Sequence, residues 1–596
     1  MNQSSSNPSL DDASRLKSLF AEGKLVHPYL SKEFFQDASS SSTNNNNDHV
    51  TLNFVDLAAS LAICCGVTPP LCSEGDKKWT CCATSSWPTA AQDIQTRRQQ
   101  LAAEIDGSSS SSSGRRRHIL LILCDGMGNS TLQNTLDDEQ SFLNRNNQQQ
   151  RSLRAVFPST TPAALTTLAT ASWPGMHGMP GWNLRDKKGC DFPGSNNQDD
   201  DNKAHPPVQL LVLSDQIRDA RSGKLASEMG FDSWDEVFVE QPWARQVASN
   251  TSNSIRQRRR MIYINAYNGD DYQQWSQGTK NQQNNESRKR KHSDATDFSE
   301  WQMGKQASSE TTEQHQQQSS LTLFETAKIE ETAFDTLGQP NGSVDAIQYY
   351  RDGITAALDL IAKAERDGEL TFTYLYTAHP DKHMHALGVE HAEVRNVIRG
   401  IERETERLWR VLGDREALLA GKYDLDSNSG VEVEETCSKK VVADAVDATV
   451  VVTADHGHVT VHPQDMITLP QCILELLEYA CIGVHGKGRH GYLYCRAGLQ
   501  TTLQQRWKAI DELHDHFLLL TIEEAIEVGL FGPKFMRMEV RPRLGDFVSI
   551  SIGKKTLVTP SENETFCKGC QCQGAHGSLH PEEMHIPFIL LEPSSR

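Results

Sequence analysis

Short runs of consecutive apolar residues recur along the chain and end at polar or glycine-rich segments. Four runs have the length and continuity of strands buried on both faces of a sheet, at residues 119–124 (ILLILC), 370–376, 448–454 and 587–591. Segment 344–366 shows the spacing of an amphipathic helix instead, and segment 392–412 is predicted to be a charged helix. The combination predicts an α/β fold with a mainly parallel central sheet flanked by helices on both faces.

Shorter patterns predict the remaining elements. Helices are predicted at residues 11–22 and 50–65, where apolar residues follow helical spacing. Strands are predicted at 151–157 and 261–266, and residues 207–219 are interpreted as a strand followed by a helix.

Polar tracts divide the chain into an N-terminal extension, residues 1–114, and a larger domain, residues 115–596. The extension holds the tract 39–47, the serine-rich linker 107–114 and a cysteine-containing helical segment. Its cysteines are expected to be free or packed thiols, because adjacent pairs lack the spacing of a zinc knuckle; they are Cys64, Cys65, Cys72, Cys81 and Cys82. Insertions at about 190–205, 273–320 and 424–442 are too polar to bury a core and are predicted to be disordered.

Composition and charge exclude several functional classes. The net charge of -19 argues against a nucleic-acid-binding protein, which needs a basic footprint. We find no secretory signal pattern and no apolar run long enough to span a bilayer. The fourteen cysteines show no disulfide framework. We therefore expect a cytoplasmic protein; the basic cluster from Arg288 to His292 (RKRKH) fits either a nuclear-import signal or plain solvated charge.

Carboxylates and histidines follow three of the predicted strands. Asp125 comes directly after the first strand, and Asp455 with His456 follows the strand at 448–454. Asp381 and His385 are four residues apart, so one turn of helix would place them on one face. Open α/β sheets carry their sites at the carboxyl ends of strands. Carboxylate and imidazole together suit zinc or a related transition metal.

Thr161 precedes Pro162, and proline favours the first position of a helix. Thr161 is therefore predicted to be the N-cap of a helix, where it could serve only as a cap. The free N–H groups at such an end also favour an anion, so the same hydroxyl could be a nucleophile aimed at a phosphate. His576 lies between Gly574 and Gly577, which leave the backbone free to turn its ring inward.

Five short blocks, in this order, resemble the type I phosphodiesterase/nucleotide pyrophosphatase family of the alkaline phosphatase superfamily. The resemblance covers roughly residues 117–593. The blocks are the strand ending in Asp125, Phe157-Pro158 with Thr161, Pro380-Asp381 with His385, Ala454-Asp455-His456-Gly457, and His576-Gly577 with Met584.

The resemblance implies a phosphodiesterase or nucleotide pyrophosphatase with an alkaline phosphatase-like fold and two divalent ions, expected to be zinc. One ion would be held by Asp125, Asp455, His456 and the Thr161 oxygen. The second would be held by Asp381, His385 and His576. Thr161 would become a transient phospho-threonine, which water activated at the second zinc would hydrolyse.

The implied substrate is a small-molecule phosphoric ester, cleaved at a phosphodiester or pyrophosphate bond. One departure is Ala164, three residues after Thr161, where relatives usually carry Asn. The preference for diesters or monoesters therefore stays open at this point. The alternatives are a phosphomonoesterase or sulfatase-like hydrolase on the same scaffold, or a non-catalytic binding relic. No substrate-binding residue is assigned.

Overall fold

The computed structural model describes residues 11–37, 50–67, 91–108, 116–136, 141–146, 151–186, 208–212, 217–219, 237–249, 259–266, 324–328, 343–423, 445–484, 487–533, 536–560 and 573–593. Within them, a seven-stranded sheet with the order β2-β18-β9-β1-β8-β6-β7 forms the centre of the molecule. Its strands are β1 (His118–Cys124), β2 (Ser152–Arg154), β6 (Arg259–Ala266), β7 (Phe324–Lys328), β8 (Leu370–Thr377), β9 (Ala448–Thr453) and β18 (His585–Leu591).

The central strand β1 is parallel to both of its neighbours. In register, Cys124 pairs with Thr377 of β8, and Leu123 pairs with Thr453 of β9. The carboxyl ends of these three strands therefore meet at one edge of the sheet. β6 and β7 continue the parallel arrangement, while β18 runs antiparallel to β9 and to β2. Every residue of β1 is buried, as expected for a strand covered on both faces.

Helices cover both faces of this sheet. The α-helices of the described residues, some of which pack with the six-stranded sheet instead, are α1 (Asp12–Glu22), α2 (Lys32–Asp37), α3 (Phe54–Cys64), α4 (Ala91–Ile105), α5 (Asn129–Thr135), α6 (Phe142–Asn146), α7 (Thr161–Thr170), α8 (Pro174–His177), α9 (Ala244–Ser249), α10 (Ser343–Asp367), α11 (Asp381–Leu387), α12 (Ala392–Leu412), α13 (Arg415–Leu419), α14 (Gln471–Leu474), α15 (Gln500–Lys508), α16 (Asp511–His516), α17 (Ile522–Val528) and α18 (Pro581–Met584). On one face, α10 and α12 pack together and α10 contacts β6 and β8. On the other, Leu168 of α7 and Trp243 lie against Leu121 and Phe372.

Three smaller sheets complete the described part of the chain. A six-stranded sheet contains β11 (Met466–Thr468), β12 (Leu477–Val484), β13 (Lys487–Cys495), β14 (Phe517–Thr521), β15 (Phe547–Ser551) and β16 (Thr556–Val558). β3 (Asn183–Asp186), β4 (Val208–Val212) and β5 (Ile217–Asp219) form a second, and β10 (Val459–Thr460) pairs with β17 (Gly574–Ala575). The pairing of β10 with β17 brings the segment after β9 beside the segment that carries His576.

The described N-terminal residues pack into the same hydrophobic core as the central sheet. Arg259 of β6 is fully buried and joins the two parts. Its Nε donates to the Cys64 carbonyl (3.1 Å), and its Nη2 donates to the Asp106 carboxylate. Its Nη1 donates to the Arg117 carbonyl (3.0 Å) and to the Thr371 carbonyl (3.1 Å). The division at residues 114 and 115 remains a prediction about the chain.

The α/β architecture and its main elements are confirmed. β1, β8, β9 and β18 occur where buried strands are predicted, and α12 spans residues 392–412 as predicted. Two predictions are wrong. The strand predicted at 151–157 is only Ser152–Arg154, because the Ala155 N–H donates to the Met584 carbonyl (2.8 Å) outside the sheet. The helix predicted within 207–219 is replaced by β5, which pairs with β4.

Several predictions concern residues outside the described ranges. They are the tract 39–47, most of the linker 107–114, Cys72, Cys81, Cys82, the basic cluster from Arg288 to His292, and the insertions 190–205, 273–320 and 424–442. Among the described residues, no helix is both long enough and apolar enough to span a bilayer.

Candidate active site

Three buried aspartates lie at the carboxyl edge of β1, β8 and β9. Asp125 follows β1 directly, Asp381 begins α11 after β8, and Asp455 follows β9 after one residue. Their backbone groups are joined across the edge: the Asp381 N–H donates to the Asp125 carbonyl (3.0 Å). The Gly126 N–H donates to the Asp455 carboxylate (3.0 Å). The parallel register of the sheet therefore brings together carboxylates that are up to 330 residues apart in the chain.

Thr161 points its hydroxyl into this edge. Its Oγ1 lies 3.1 Å from Nε2 of His456 and 3.4 Å from Oδ1 of Asp125. The prediction that Thr161 is the N-cap is wrong by one residue: Thr160 is the N-cap, and its carbonyl accepts from the Ala164 N–H (3.0 Å). The Thr161 hydroxyl bonds to the side chains of Asp125 and His456 rather than to the start of its own helix. The side chain is therefore directed at the site.

Histidines surround the same edge, and backbone carbonyls orient them. Nδ1 of His385 lies 2.8 Å from the Gly574 carbonyl, and Nδ1 of His576 lies 2.8 Å from the Ser159 carbonyl. Nδ1 of His456 lies 3.2 Å from the carbonyl of the adjacent glycine. A carbonyl can only accept, so Nδ1 carries the proton and Nε2 presents a lone pair to the site. This is the second-shell arrangement typical of metal-binding histidines.

The candidate ligand atoms form two compact groups that share His456. In the first, ligand atoms of Asp125, Asp455 and His456 lie within 4.8 Å of one another. In the second, those of Asp381, His456, His458 and His576 do so. We call these the Asp125 group and the Asp381 group. His385 lies beside the latter, with Nε2 at 3.4 Å from Oδ1 of Asp381 and 33% of its side chain exposed.

Burial and neighbouring charges perturb the pKa of every aspartate in the site. Burial, together with the charges of Asp455 and Asp381, raises the pKa of Asp125 well above its usual range. Burial raises the pKa of Asp455 to about 7. Burial opposes the ionisation of Asp381, but the imidazoles of His385 and His458 outweigh it and lower its pKa. Burial lowers the pKa of His456 to about 3.

These observations fit a site that binds divalent cations. A cation beside Asp125 and Asp455 would relieve the repulsion and desolvation that hold their protons. Oδ2 of Asp455 and Oδ1 of Asp381 are buried without a hydrogen-bond partner in the structure. Neutral imidazoles and carboxylates are the donors that zinc takes in proteins.

The structure adds two residues that the sequence analysis did not assign. His458 lies in the Asp381 group. The feature of the sequence that could have indicated it is its position two residues after His456. Tyr376 donates its hydroxyl to Oδ2 of Asp125 (2.5 Å) from the next-to-last position of β8. His379 and His383, close to Asp381 in sequence, lie against each other, with 3.0 Å between their Nδ1 atoms. Neither belongs to the two groups of described residues.

A comparison with known protein families matches residues 119–579 to the type I phosphodiesterase/nucleotide pyrophosphatase family. The chain belongs to this family. Its members are phosphodiesterases and pyrophosphatases, which are metal-dependent hydrolytic enzymes. The family resemblance drawn from the five sequence blocks is thereby confirmed.

Distant likenesses to solved structures accompany the family match. Phosphonoacetate hydrolase from Sinorhizobium meliloti 1021, in complex with phosphonoformate, is 16% identical with a TM-score of 0.45, over 81% of this chain and 92% of that one. Murine ectonucleotide pyrophosphatase/phosphodiesterase 5, inactive and in complex with AMP, is 13% identical with a TM-score of 0.41, over 80% of this chain and 88% of that one. A comparison with curated proteins gave no match. The family match alone carries the assignment.

Proposed function

We propose that this family member cleaves phosphodiester or pyrophosphate bonds through a phospho-threonine on Thr161, at a site for two zinc ions. The observation that carries the proposal is the position of the Thr161 hydroxyl, 3.1 Å from His456 and 3.4 Å from Asp125. A helix-capping hydroxyl would face its own backbone, whereas the partners of this one are the side chains of His456 and Asp125. A small-molecule phosphoric ester is the proposed substrate, and the cytoplasm is the proposed compartment.

Seven residues would hold the two ions. Asp125, Asp455, His456 and Thr161 surround one proposed position, and Asp381, His385 and His576 surround the other. When bound, the ions would lower the pKa of the Thr161 hydroxyl and neutralise charge on the phosphoryl oxygens.

The residues of the chain perform the remaining steps. The Thr161 hydroxyl gives its proton to solvent and Oγ1 attacks phosphorus, so that a Thr161 O–P bond forms, the bond from phosphorus to the leaving oxygen breaks, and the leaving oxygen takes a proton from solvent. Water then attacks the phospho-threonine, breaks the Thr161 O–P bond and restores the hydroxyl. Tyr376 holds Asp125 through its hydrogen bond to Oδ2 and so keeps Oδ1 turned toward Thr161.

One assay separates the proposal from its alternatives. The purified protein is tested on bis(p-nitrophenyl) phosphate, p-nitrophenyl phosphate and p-nitrophenyl sulfate. We expect the diester to be hydrolysed with the highest kcat/KM. Preference for the monoester or the sulfate would replace the proposal by a phosphomonoesterase or sulfatase-like activity. No turnover by protein with both ions bound would favour the binding relic.

A further inference from the structure

His458 is a buried histidine whose ring nitrogens have no hydrogen-bond partner in the structure. It lies between β9 and β10, and only 1% of it is exposed. Neither Nδ1 nor Nε2 makes a hydrogen bond of acceptable geometry. A buried polar group left in this state costs free energy comparable to a lost hydrogen bond. A ligand for one of its nitrogens would remove that cost.

Nε2 of His458 faces a carboxylate oxygen that is also unsatisfied. It lies 3.1 Å from Oδ1 of Asp381, and both atoms lack a hydrogen-bond partner, so they are close without being aligned as donor and acceptor. This is the relationship of two ligand atoms that point at a common third centre.

Two further imidazoles approach the same oxygen. Nε2 of His385 lies 3.4 Å from Oδ1 of Asp381, and Nε2 of His576 lies 3.9 Å from it. In a tetrahedral zinc site with bonds of about 2.0–2.1 Å, ligand atoms are roughly 3.3 Å apart. The separations of His458 (3.1 Å) and His385 (3.4 Å) from Asp381 Oδ1 lie close to this value, whereas that of His576 (3.9 Å) is longer.

The backbone leaves room for the ring of His458. Gly126, at φ +74°, lies under it: a Cβ at Gly126 would come within 2.8 Å of Cε1 of His458 and 2.9 Å of Cβ of Asp381. A side chain at this position would push both residues out of the site.

We propose that His458 is a fourth protein ligand of the ion held by Asp381, His385 and His576. This proposal rests on the two-metal site proposed above. Three imidazoles and one carboxylate are donors that zinc takes in proteins, and a water or substrate oxygen would then make the ion five-coordinate, as zinc in catalytic sites can become. The ion at the Asp381 group is then retained more firmly than the ion at the Asp125 group, where the substrate-facing Thr161 hydroxyl completes the set.

The test compares His458→Ala with His462→Ala, which changes an exposed histidine four residues along the chain. Zinc affinities of the intact proteins are measured by competition with a chromogenic chelator. We expect His458→Ala to lower the affinity for one of the two zinc ions by roughly 100-fold or more. His462→Ala should change neither affinity. Equal affinities in wild type and His458→Ala would overturn the proposal. Thermal unfolding of the metal-free proteins shows whether His458→Ala still folds.

A zinc-loaded crystal structure of the wild-type protein separates a ligand from a positioning residue and does not depend on the variant. We expect Nε2 of His458 within about 2.0–2.3 Å of an ion. A zinc ion coordinated by Asp381 with His458 beyond bonding distance would make His458 a positioning residue and overturn the proposal. Wild-type protein that binds no zinc would refute the two-metal function itself, which is a separate result.

Discussion

The imidazole rings of His456 and His576 stack face to face, with centroids 3.7 Å apart and planes 11° from parallel. His456 belongs to the Asp125 group, and the ring of His576 presents its Nε2 to Asp381. Burial lowers the pKa of both rings, so both are neutral at pH 7 and can bind a cation. The two candidate ion positions are therefore bordered by one pair of stacked rings. We expect them to act as one binuclear site.

The first prediction concerns metal content. Active protein should contain two zinc-like ions per chain, because each proposed ligand set combines carboxylate and imidazole. Chelation should abolish hydrolysis, and added zinc should restore it. Elemental analysis measures the metal content of active protein before and after dialysis against chelator, and a hydrolysis assay of the same samples measures the activity. One ion or none in fully active protein would rule out the two-metal mechanism.

The second prediction concerns Thr161. Thr161→Ala should lower turnover by roughly 10⁴-fold or more, since it removes the nucleophile, while both ions stay bound. Thr161→Ser should keep partial activity because it retains a hydroxyl. Steady-state kinetics with metal content checked in each variant is the measurement.

Thr160→Ala is the matched control for Thr161→Ala. Thr160 is the N-cap residue, but its side chain makes no capping bond, so its loss should leave turnover intact. An active Thr161→Ala enzyme would show that the hydroxyl has only a structural role. Another nucleophile, such as water, would then attack phosphorus.

The third prediction concerns Gly457, between His456 and His458. A Cβ at Gly457 would collide with the Glu582 carbonyl and lie 2.9 Å from Cα of Gly128, and both obstacles are backbone. Gly457→Ala should therefore destabilise the protein by about 1–3 kcal/mol and weaken metal binding. Urea unfolding and zinc titration measure the two effects. At Gly553 a Cβ would meet nothing within 4 Å, so Gly553→Ala should be neutral; equal stabilities of the two variants would contradict the prediction.

The parts of the fold that depend on local pattern could be predicted from the sequence. β1 is a continuous apolar run because it is buried on both faces, and α12 has a complete amphipathic period. β5 could not be predicted, because its three residues are held as a strand by pairing with β4. The six-stranded sheet was not predicted either, since strands such as β13 (KGRHGYLYC) mix polar and apolar residues without a continuous run.

The site could be predicted only where residue type and position coincide. Asp125 and Asp455 follow apolar strands, so the fold class alone placed them at one edge. The cap is assigned to Thr161 when Pro162 is placed at the first helical position, but the helix begins at Thr161, so Pro162 is its second residue and Thr160 is the cap. His458 was missed because its role depends on Asp381, which β8 brings across the sheet edge to meet it.

The fourth prediction concerns residues 273–320, which lie outside the described ranges. The segment is rich in Gln, Asn and Ser, so it buries too little apolar surface to offset its ordering entropy. Deleting it should leave turnover and the thermal midpoint nearly unchanged. Deletion of α10, which packs on β6 and β8, is the control and should abolish folding. A 273–320 deletion that fails to fold would show that the segment is structural.

The fifth prediction concerns His27, which is buried against α17. Its Nδ1 accepts from the N–H groups of Tyr29 (3.3 Å) and Leu30 (3.1 Å), and its Nε2 donates to the Val528 carbonyl (2.9 Å). The ring is therefore neutral, and burial lowers its pKa from 6.5 to about 3. Below pH 6.5 the unfolded chain binds a proton that the folded chain excludes. Stability present above pH 6.5 is thus lost as the pH falls toward 3.

His27→Gln should make the pH dependence of unfolding shallower by up to one proton, or about 1.4 kcal/mol per pH unit, between pH 6 and about 4. The free energy of unfolding in urea, measured at several pH values with chelator present so that ions do not contribute, tests this. His391→Gln is the matched control, because it makes the same replacement at an exposed histidine. If His27→Gln keeps the wild-type slope, Nδ1 of His27 does not stay unprotonated in the folded protein. The packing of the N-terminal segment on α17 through His27 would then not depend on pH.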